Sequence, residues 1–225
     1  MKSIVEKQKS QSLRERVFGL YVIIDPDLTG GRNPMEIARQ TLAGGANIIQ
    51  LRSKTQPDYM MLSLAKEIAT LCSAYGALFI VNDRVDIAAI SQADGVHLGL
   101  EDLSVSEART ILKHNQIVGC SSHSLEEAHA AKLSLPDYIA VGAMYPTTAK
   151  KQPIVGGPPL LRKIKSSINI PLVAIGGITQ KNVGPVVRAG ADAICVISAI
   201  GLAADPQNET EKLRDSIRLA GGKTK

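Results

Sequence analysis

Residues 171–200 read PLVAIGGITQKNVGPVVRAGADAICVISAI. PLVAI (171–175) is a short, continuous apolar run, the signature of a strand covered on both faces rather than on one. Gly176-Gly177 interrupts it, Gln180–Ala189 carries a helical pattern, Gly190-Ala191-Asp192 punctuates, and AICVI (193–197) is a second strand of the same kind. Strand, helix and strand in this order form a parallel unit. Working outward, the same kind of run recurs as LYVII (20–24), ANIIQL (46–51), ALFIV (77–81), GVHL (95–98), QIVGC (116–120) and YIAVG (138–142). Helical stretches separate them: Pro34–Ala43, Pro57–Tyr75, Val85–Ile90, Ser104–Lys113, Ser124–Leu133 and Pro158–Ile168, with Glu209–Leu219 following the last strand. Several open on Pro or a Ser cap. Eight strands alternating with eight helices predict an α/β fold, a single (β/α)8 TIM barrel.

The segments AGGAN, SQADG, LPDYIA and AGADA mark helix ends, and their Gly and Asp read as turn positions with a structural role. No linker divides residues 17–221, so one barrel domain is expected there. Residues 1–16 read as a short, basic, solvated extension, with a short helix over the barrel bottom as the alternative, and 222–225 as a frayed tail.

The chain has 225 residues and a net charge of +5. That charge is peripheral. Residues 1–16 hold five basic and two acidic side chains, residues 211–225 hold five and two again, and the intervening body has 16 basic and 17 acidic. A neutral body with no Trp and two Phe argues against nucleic acid as a partner. Cys72, Cys120 and Cys195 are odd in number and widely spaced, which argues against disulfides or a zinc site and fits a reducing, cytoplasmic setting. The leader lacks the apolar core of a secretory signal, and no run spans a bilayer, so no membrane partner is expected.

Barrel chemistry gathers where strands end, at their C-terminal side. After the second strand comes Gln50-Leu51-Arg52-Ser53-Lys54, whose alternation sends Gln50, Arg52 and Lys54 to one side. Asn82-Asp83 follows the third, His97 to Asp102 the fourth, Ser121-Ser122-His123 the fifth, Thr147-Thr148-Ala149-Lys150 the sixth, Gly176-Gly177 the seventh and Ile197-Ser198 the eighth. Taken singly, each has a plain explanation. Asp83 reads as a cap for the helix at Val85, Asp102 as a cap near Ser104, and Gly176-Gly177 as a turn. Together at one barrel end they equip a site for phosphorylated ligands, with glycine-rich backbone for a phosphate and carboxylates facing cations for a Mg²⁺ bridging a diphosphate. His97 and His123 read as loop-orienting residues. No GxSxG, Walker or GxGxxG motif occurs.

In order and spacing, QLRSK, ND, GVHLGLED, GCSSH, VGAMYPTTAK, VAIGGIT and AGADAICVISAI resemble the motifs of the thiamine-phosphate synthase family over about residues 18–205. The resemblance implies a Mg²⁺-dependent transferase joining 4-amino-2-methyl-5-(diphosphooxymethyl)pyrimidine to 4-methyl-5-(2-phosphooxyethyl)thiazole, two small phosphorylated substrates, with release of diphosphate. Matched residue by residue, it implies that Gln50, Leu51, Arg52, Ser53, Lys54, Asn82, Ser121 and Lys150 bind the pyrimidine diphosphate. Among these, Arg52, Lys54, Ser121 and Lys150 act in catalysis. Asp83 and Asp102 hold the metal, and Thr147, Thr148, Ala149, Gly177, Ile197 and Ser198 receive the thiazole phosphate. Two positions depart from the family pattern: Ala149 stands for the usual Thr or Ser, and Leu100 for a frequent Gln. Two alternatives share the fold. A thiazole tautomerase branch has a His where this chain has Ala143, and a non-catalytic phosphate-binding barrel accords with Ala149 and Leu100. A homo-oligomer is compatible with the synthase reading and with both alternatives.

Overall fold

The computed structural model describes Leu13, residues 15–147 and residues 155–224. Strands β1 (Gly19–Ile24), β2 (Ile48–Leu51), β3 (Leu78–Asn82), β4 (Gly95–Leu98), β5 (Ile117–Ser122), β6 (Tyr138–Val141), β7 (Leu172–Ile175) and β8 (Ala193–Val196) form a closed barrel. Every neighbouring pair is parallel, and β1 closes on β8 with Tyr21 opposite Cys195. The helices that return the chain are α1 (Pro34–Ala43), α2 (Asp58–Tyr75), α3 (Val85–Ile90), α4 (Val105–Ile111), α5 (Leu125–Leu133), α6 (Gly157–Ser167), α7 (Val183–Arg188), α8 (Ser198–Gly201) and α9 (Pro206–Leu219). The eight expected strands and the (β/α)8 closure are all present. The one-turn α8 and a 3₁₀ turn at Pro26–Leu28 had no sequence signal, being too short to show a period. The helix expected over 180–189 begins only at Val183, because Asn182 accepts the Thr179 N–H and holds the preceding loop in a turn.

Strand pleating divides the apolar residues between two cores. Leu20, Val22 and Ile24 of β1 and Ile49 and Leu51 of β2 face the helices, where they join Ile37, Ile68 and Leu161. Tyr21, Ile23, Ile48, Leu78, Ile80, Ile117, Tyr138, Val173 and Cys195 fill the barrel interior. Each fully buried aliphatic side chain contributes roughly 1.5–3 kcal/mol to holding these layers together. Leu13 and Val17 also belong to the interior cluster, both nearly inaccessible. The end of the extension expected to be solvated is therefore packed against the barrel's inner residues, since an open barrel end leaves apolar side chains that only a neighbouring segment covers. Residues 1–12 and Arg14 lie outside the described residues.

The punctuation segments do more than turn the chain. Asn47, Asp94, Asp137 and Asp192 each precede an even-numbered strand, and their side chains accept the backbone N–H of Leu20, Phe79, Val118 and Leu172 on the odd-numbered strand before it. Each also donates its own backbone N–H to the carbonyl of that same residue. Four two-point clamps thus tie the N-terminal ends of β1, β3, β5 and β7 to the turns entering β2, β4, β6 and β8. Gly45 and Gly190, at φ 94° and 101°, supply the left-handed turns just before two of them.

Candidate active site

At the opposite end of the barrel the strand termini deliver the polar residues. Gln50 ends inside the barrel, 2% exposed, while the next side chain on its face, Arg52, pairs with the buried carboxylate of Asp25. Asp25 directly follows β1 and also accepts the Asp27 N–H, so it anchors both the first loop and Arg52. It was not among the expected site residues, although the rule that found the others, a polar residue just after a strand, singles it out equally. Lys54, half exposed, pairs with Asp83.

Asp83 does not cap α3. Arg84 occupies that position without a side-chain capping bond, and Asp83 sits at φ 61°, a left-handed conformation uncommon for a residue with a Cβ. Its N–H donates to the His97 carbonyl, which turns the carboxylate toward the β4 loop. Asp102 is not a helix cap either: Ser104 and Glu107 form a complete capping box on α4, and Asp102 accepts the Gly99 N–H instead. Partial burial pushes the largely exposed Asp102 carboxyl above its ordinary value, the adjoining Asp83 carboxyl adds to this, and the Gly99 N–H and Lys54 oppose it. Two carboxylates thus meet beside one ammonium group.

These residues line a polar cavity of about 310 Å³ with Arg52, Asn82, His97, Leu100, Glu101 and Ser121. Among the described residues no three His, Cys, Asp or Glu side chains converge as a closed metal cage. Two adjoining carboxylates fit a hard divalent ion that completes its shell with ligand oxygens and water, and do not fit a structural zinc site.

Across the mouth lies a second cavity of about 310 Å³, lined by Thr147, Gly176, Gly177, Thr179, Ile197, Ser198 and several apolar side chains. Its rim is shaped by Gly176 and Gly177, at φ 103° and 64°. A Cβ on Gly177 would lie 2.6 Å from the Pro146 carbonyl oxygen, so only glycine fits. Asn182 fixes this loop by donating to the Gly177 carbonyl, and its own carbonyl accepts the Tyr145 hydroxyl. The first N–H groups of the one-turn α8 have no partner within that helix.

A narrow central cleft of about 40 Å³ joins the two, sharing Arg52, Asn82, His97 and Ser121 with the first cavity and Ile175, Cys195 and Ile197 with the second. Gln50, Tyr21 and Tyr138 line its floor. The low aromatic content did not anticipate two tyrosines there, because their interior placement depends on strand register. His97 and His123 behave as orienting residues: His97 contacts Ser121 Oγ at 3.0 Å and His123 the Gly142 carbonyl at 2.8 Å.

Of the expected site residues, Gln50, Arg52, Lys54, Asn82, Asp83, Asp102 and Ser121 line the first cavity or the cleft, and Thr147, Gly177, Ile197 and Ser198 the second. Leu51 turns its side chain into the helix-facing core, which leaves its backbone for any ligand. Ser53 accepts the Gln56 N–H and shapes its loop. Thr148, Ala149 and Lys150 lie outside the described residues. Among those described, no helix is long and apolar enough to cross a membrane.

A family model for thiamine monophosphate synthase matches residues 20–200. The thiamine-phosphate synthase of Methanospirillum hungatei is 46% identical over 199 residues, spanning 88% of this chain and 96% of that protein. The thiamine-phosphate synthase of Moorella thermoacetica is 42% identical over 208 residues, 91% of this chain and 98% of the other. The solved thiamine phosphate pyrophosphorylase of Pyrococcus furiosus superposes with a TM-score of 0.85 at 42% identity, covering 92% and 98% of the two chains. The matched span runs from β1 into α8 and takes in every described residue lining the mouth except Leu202: the chain belongs to the thiamine monophosphate synthase family.

Proposed function

We propose that the protein condenses 4-amino-2-methyl-5-(diphosphooxymethyl)pyrimidine with 4-methyl-5-(2-phosphooxyethyl)thiazole, giving thiamine phosphate and diphosphate. The observation that carries this reading is the pair of equal cavities joined by one cleft, one lined by charged residues and the other by apolar residues and a glycine rim. A two-substrate reaction needs both ligands held in line, and such positioning supplies a large share of the rate.

In the proposed chemistry the C–O bond to the diphosphate breaks first. The pyrimidine methylene cation is then captured by the thiazole nitrogen, whose lone pair forms the new C–N bond. No general base is needed to make that nucleophile. Asp83 and Asp102 would hold Mg²⁺, which when bound neutralises developing charge on the diphosphate. Arg52 and Lys54 take up part of the same charge, with Lys150 assigned to it by the family motif. Arg52 is held at fixed orientation by Asp25, so its donors are organised before the charge appears. Asn82 and Gln50 orient the pyrimidine ring. Gly177 with the Ile197–Ser198 backbone receives the thiazole phosphate, beside Thr147 and the family-motif positions Thr148 and Ala149.

The test is a coupled assay of purified protein with both substrates and Mg²⁺, run beside a tautomerase assay with the thiazole carboxylate phosphate. Thiamine phosphate and diphosphate are expected in equal amounts, requiring both substrates and lost on chelation of Mg²⁺. No thiamine phosphate at saturating substrates overturns the reading, and isomerised thiazole in its place assigns the tautomerase.

A further inference from the structure

Four interior side chains and Ser121 form one continuous hydrogen-bonded chain. Gln50 Nε2 donates to Tyr21 Oη at 2.6 Å. Tyr21 Oη lies 3.1 Å from Tyr138 Oη, which lies 3.1 Å from His97 Nδ1. His97 Nε2 lies 3.0 Å from Ser121 Oγ, at the edge of the cleft. A phenol has one proton to give. With the amide placed so that Nε2 faces Tyr21 and Oε1 stays buried without a partner, Tyr21 accepts from Gln50, and its remaining contact is Tyr138, to which its proton goes. Tyr138, having accepted, gives its own proton to His97 Nδ1. A neutral imidazole that accepts at Nδ1 carries its proton at Nε2, so His97 donates to Ser121, and the Ser121 proton is left to point into the cleft.

We infer that Tyr138 is a positioning residue: through His97 it polarises the chain outward, making Ser121 a hydrogen-bond donor selective for an acceptor atom, such as a ring nitrogen, over an amino group on the ligand. This inference rests on the proposed pyrimidine site for the identity of the ligand, and not for the direction of the chain. Its parts are built to stay in place. Tyr21 and Tyr138 are essentially inaccessible, and burial raises the hydroxyl of each well above its ordinary value, keeping both as neutral donors. The His97 ring stacks on Tyr138 with centroids 5.6 Å apart. Gly119 on β5 makes the room, since a Cβ there would lie 2.0 Å from Tyr138 Cζ. A glycine inside a strand marks such a close approach.

The direction is read in the substrate-free full-length protein by long-range ¹H–¹⁵N correlation of labelled histidines, with His97 assigned by the loss of its signals in His97→Gln. Wild-type His97 is expected as the Nε2–H tautomer with a bare Nδ1, and Tyr138→Phe as a mixture of tautomers. In steady-state kinetics Tyr138→Phe is expected to raise KM for the pyrimidine diphosphate about ten-fold with kcat within about three-fold, the scale of one lost hydrogen bond. An Nδ1–H or doubly protonated His97 in the wild type overturns the inference, as does a Tyr138→Phe protein whose tautomer and KM are unchanged. Should Tyr138→Phe not fold, the wild-type tautomer alone decides. If the protein turns over neither substrate, the tautomer still reports on the chain, so the two readings fail separately.

Discussion

Asp83 and Asp102 show what a single residue's conformation contributes here. A left-handed φ costs a non-glycine residue roughly 1–2 kcal/mol, and Asp83 bears it while giving nothing to the helix that follows. What the conformation achieves is to set its carboxylate against Lys54 and Asp102. Asp102 opposes folding at neutral pH for the same reason. Its folded-state value is raised, so the native protein binds that proton more readily than the unfolded chain, and stability is lost as pH rises through the interval between the two values. Asp102→Asn, which keeps an oxygen for the Gly99 N–H, is therefore expected to raise Tm at pH 7 without divalent ions. Because the group is largely exposed, the rise is on the order of 1 °C. The gain disappears in acid, where the wild-type carboxyl is protonated in both states, and turnover falls at least about ten-fold. A scanning calorimetry trace with Tm lowered or unmoved at pH 7 counts against this reading, in which partial burial first and the Asp83 carboxyl second raise the Asp102 value.

At the scale of the elements, the recurring clamp explains how short strands close into a barrel. Strands of four to six residues offer few ladder bonds each. Asn47, Asp94, Asp137 and Asp192 add a side-chain acceptor at the start of every second junction. Asp137→Ala removes the acceptor from the Val118 N–H and is expected to cost about 1.5–3 kcal/mol, the range for a hydrogen bond to a charged group. Asp137→Asn, which retains an oxygen, should cost less. Urea denaturation of the two variants checks this, and equal losses would assign the effect to the lost Arg109 ion pair instead. These residues were legible in the sequence as punctuation with a structural role, but not as clamps. A turn signal is local, whereas the clamp's partner lies 15 to 27 residues away.

For the whole molecule, the separation of the two cavities has a kinetic consequence. Gly177 borders only the second, so Gly177→Ala, which forces a Cβ against the Pro146 and Tyr145 carbonyls, is expected to act on one substrate. KM for the thiazole phosphate should rise about ten-fold or more and KM for the pyrimidine diphosphate stay within about two-fold. Equal changes in both constants would mean that the cavities do not bind separately.

The primary structure by itself determined the eightfold alternation of apolar runs and helical segments, and with it the closed barrel and the end at which the polar residues gather. Those features follow from periodicity, which any short window contains. It also determined most of the mouth, since Gln50, Arg52, Lys54, Asn82, Asp83, Ser121, Gly177 and Ser198 each stand at or just beyond the end of an apolar run. Only the tertiary structure decided that Arg52 is held by Asp25, that Asp83 and Asp102 face each other rather than cap helices, and that Tyr21, Tyr138 and His97 connect Gln50 to Ser121. Each of these depends on which strand, adjacent or across the barrel, brings its partner and in what register, and closure of the barrel is what sets both.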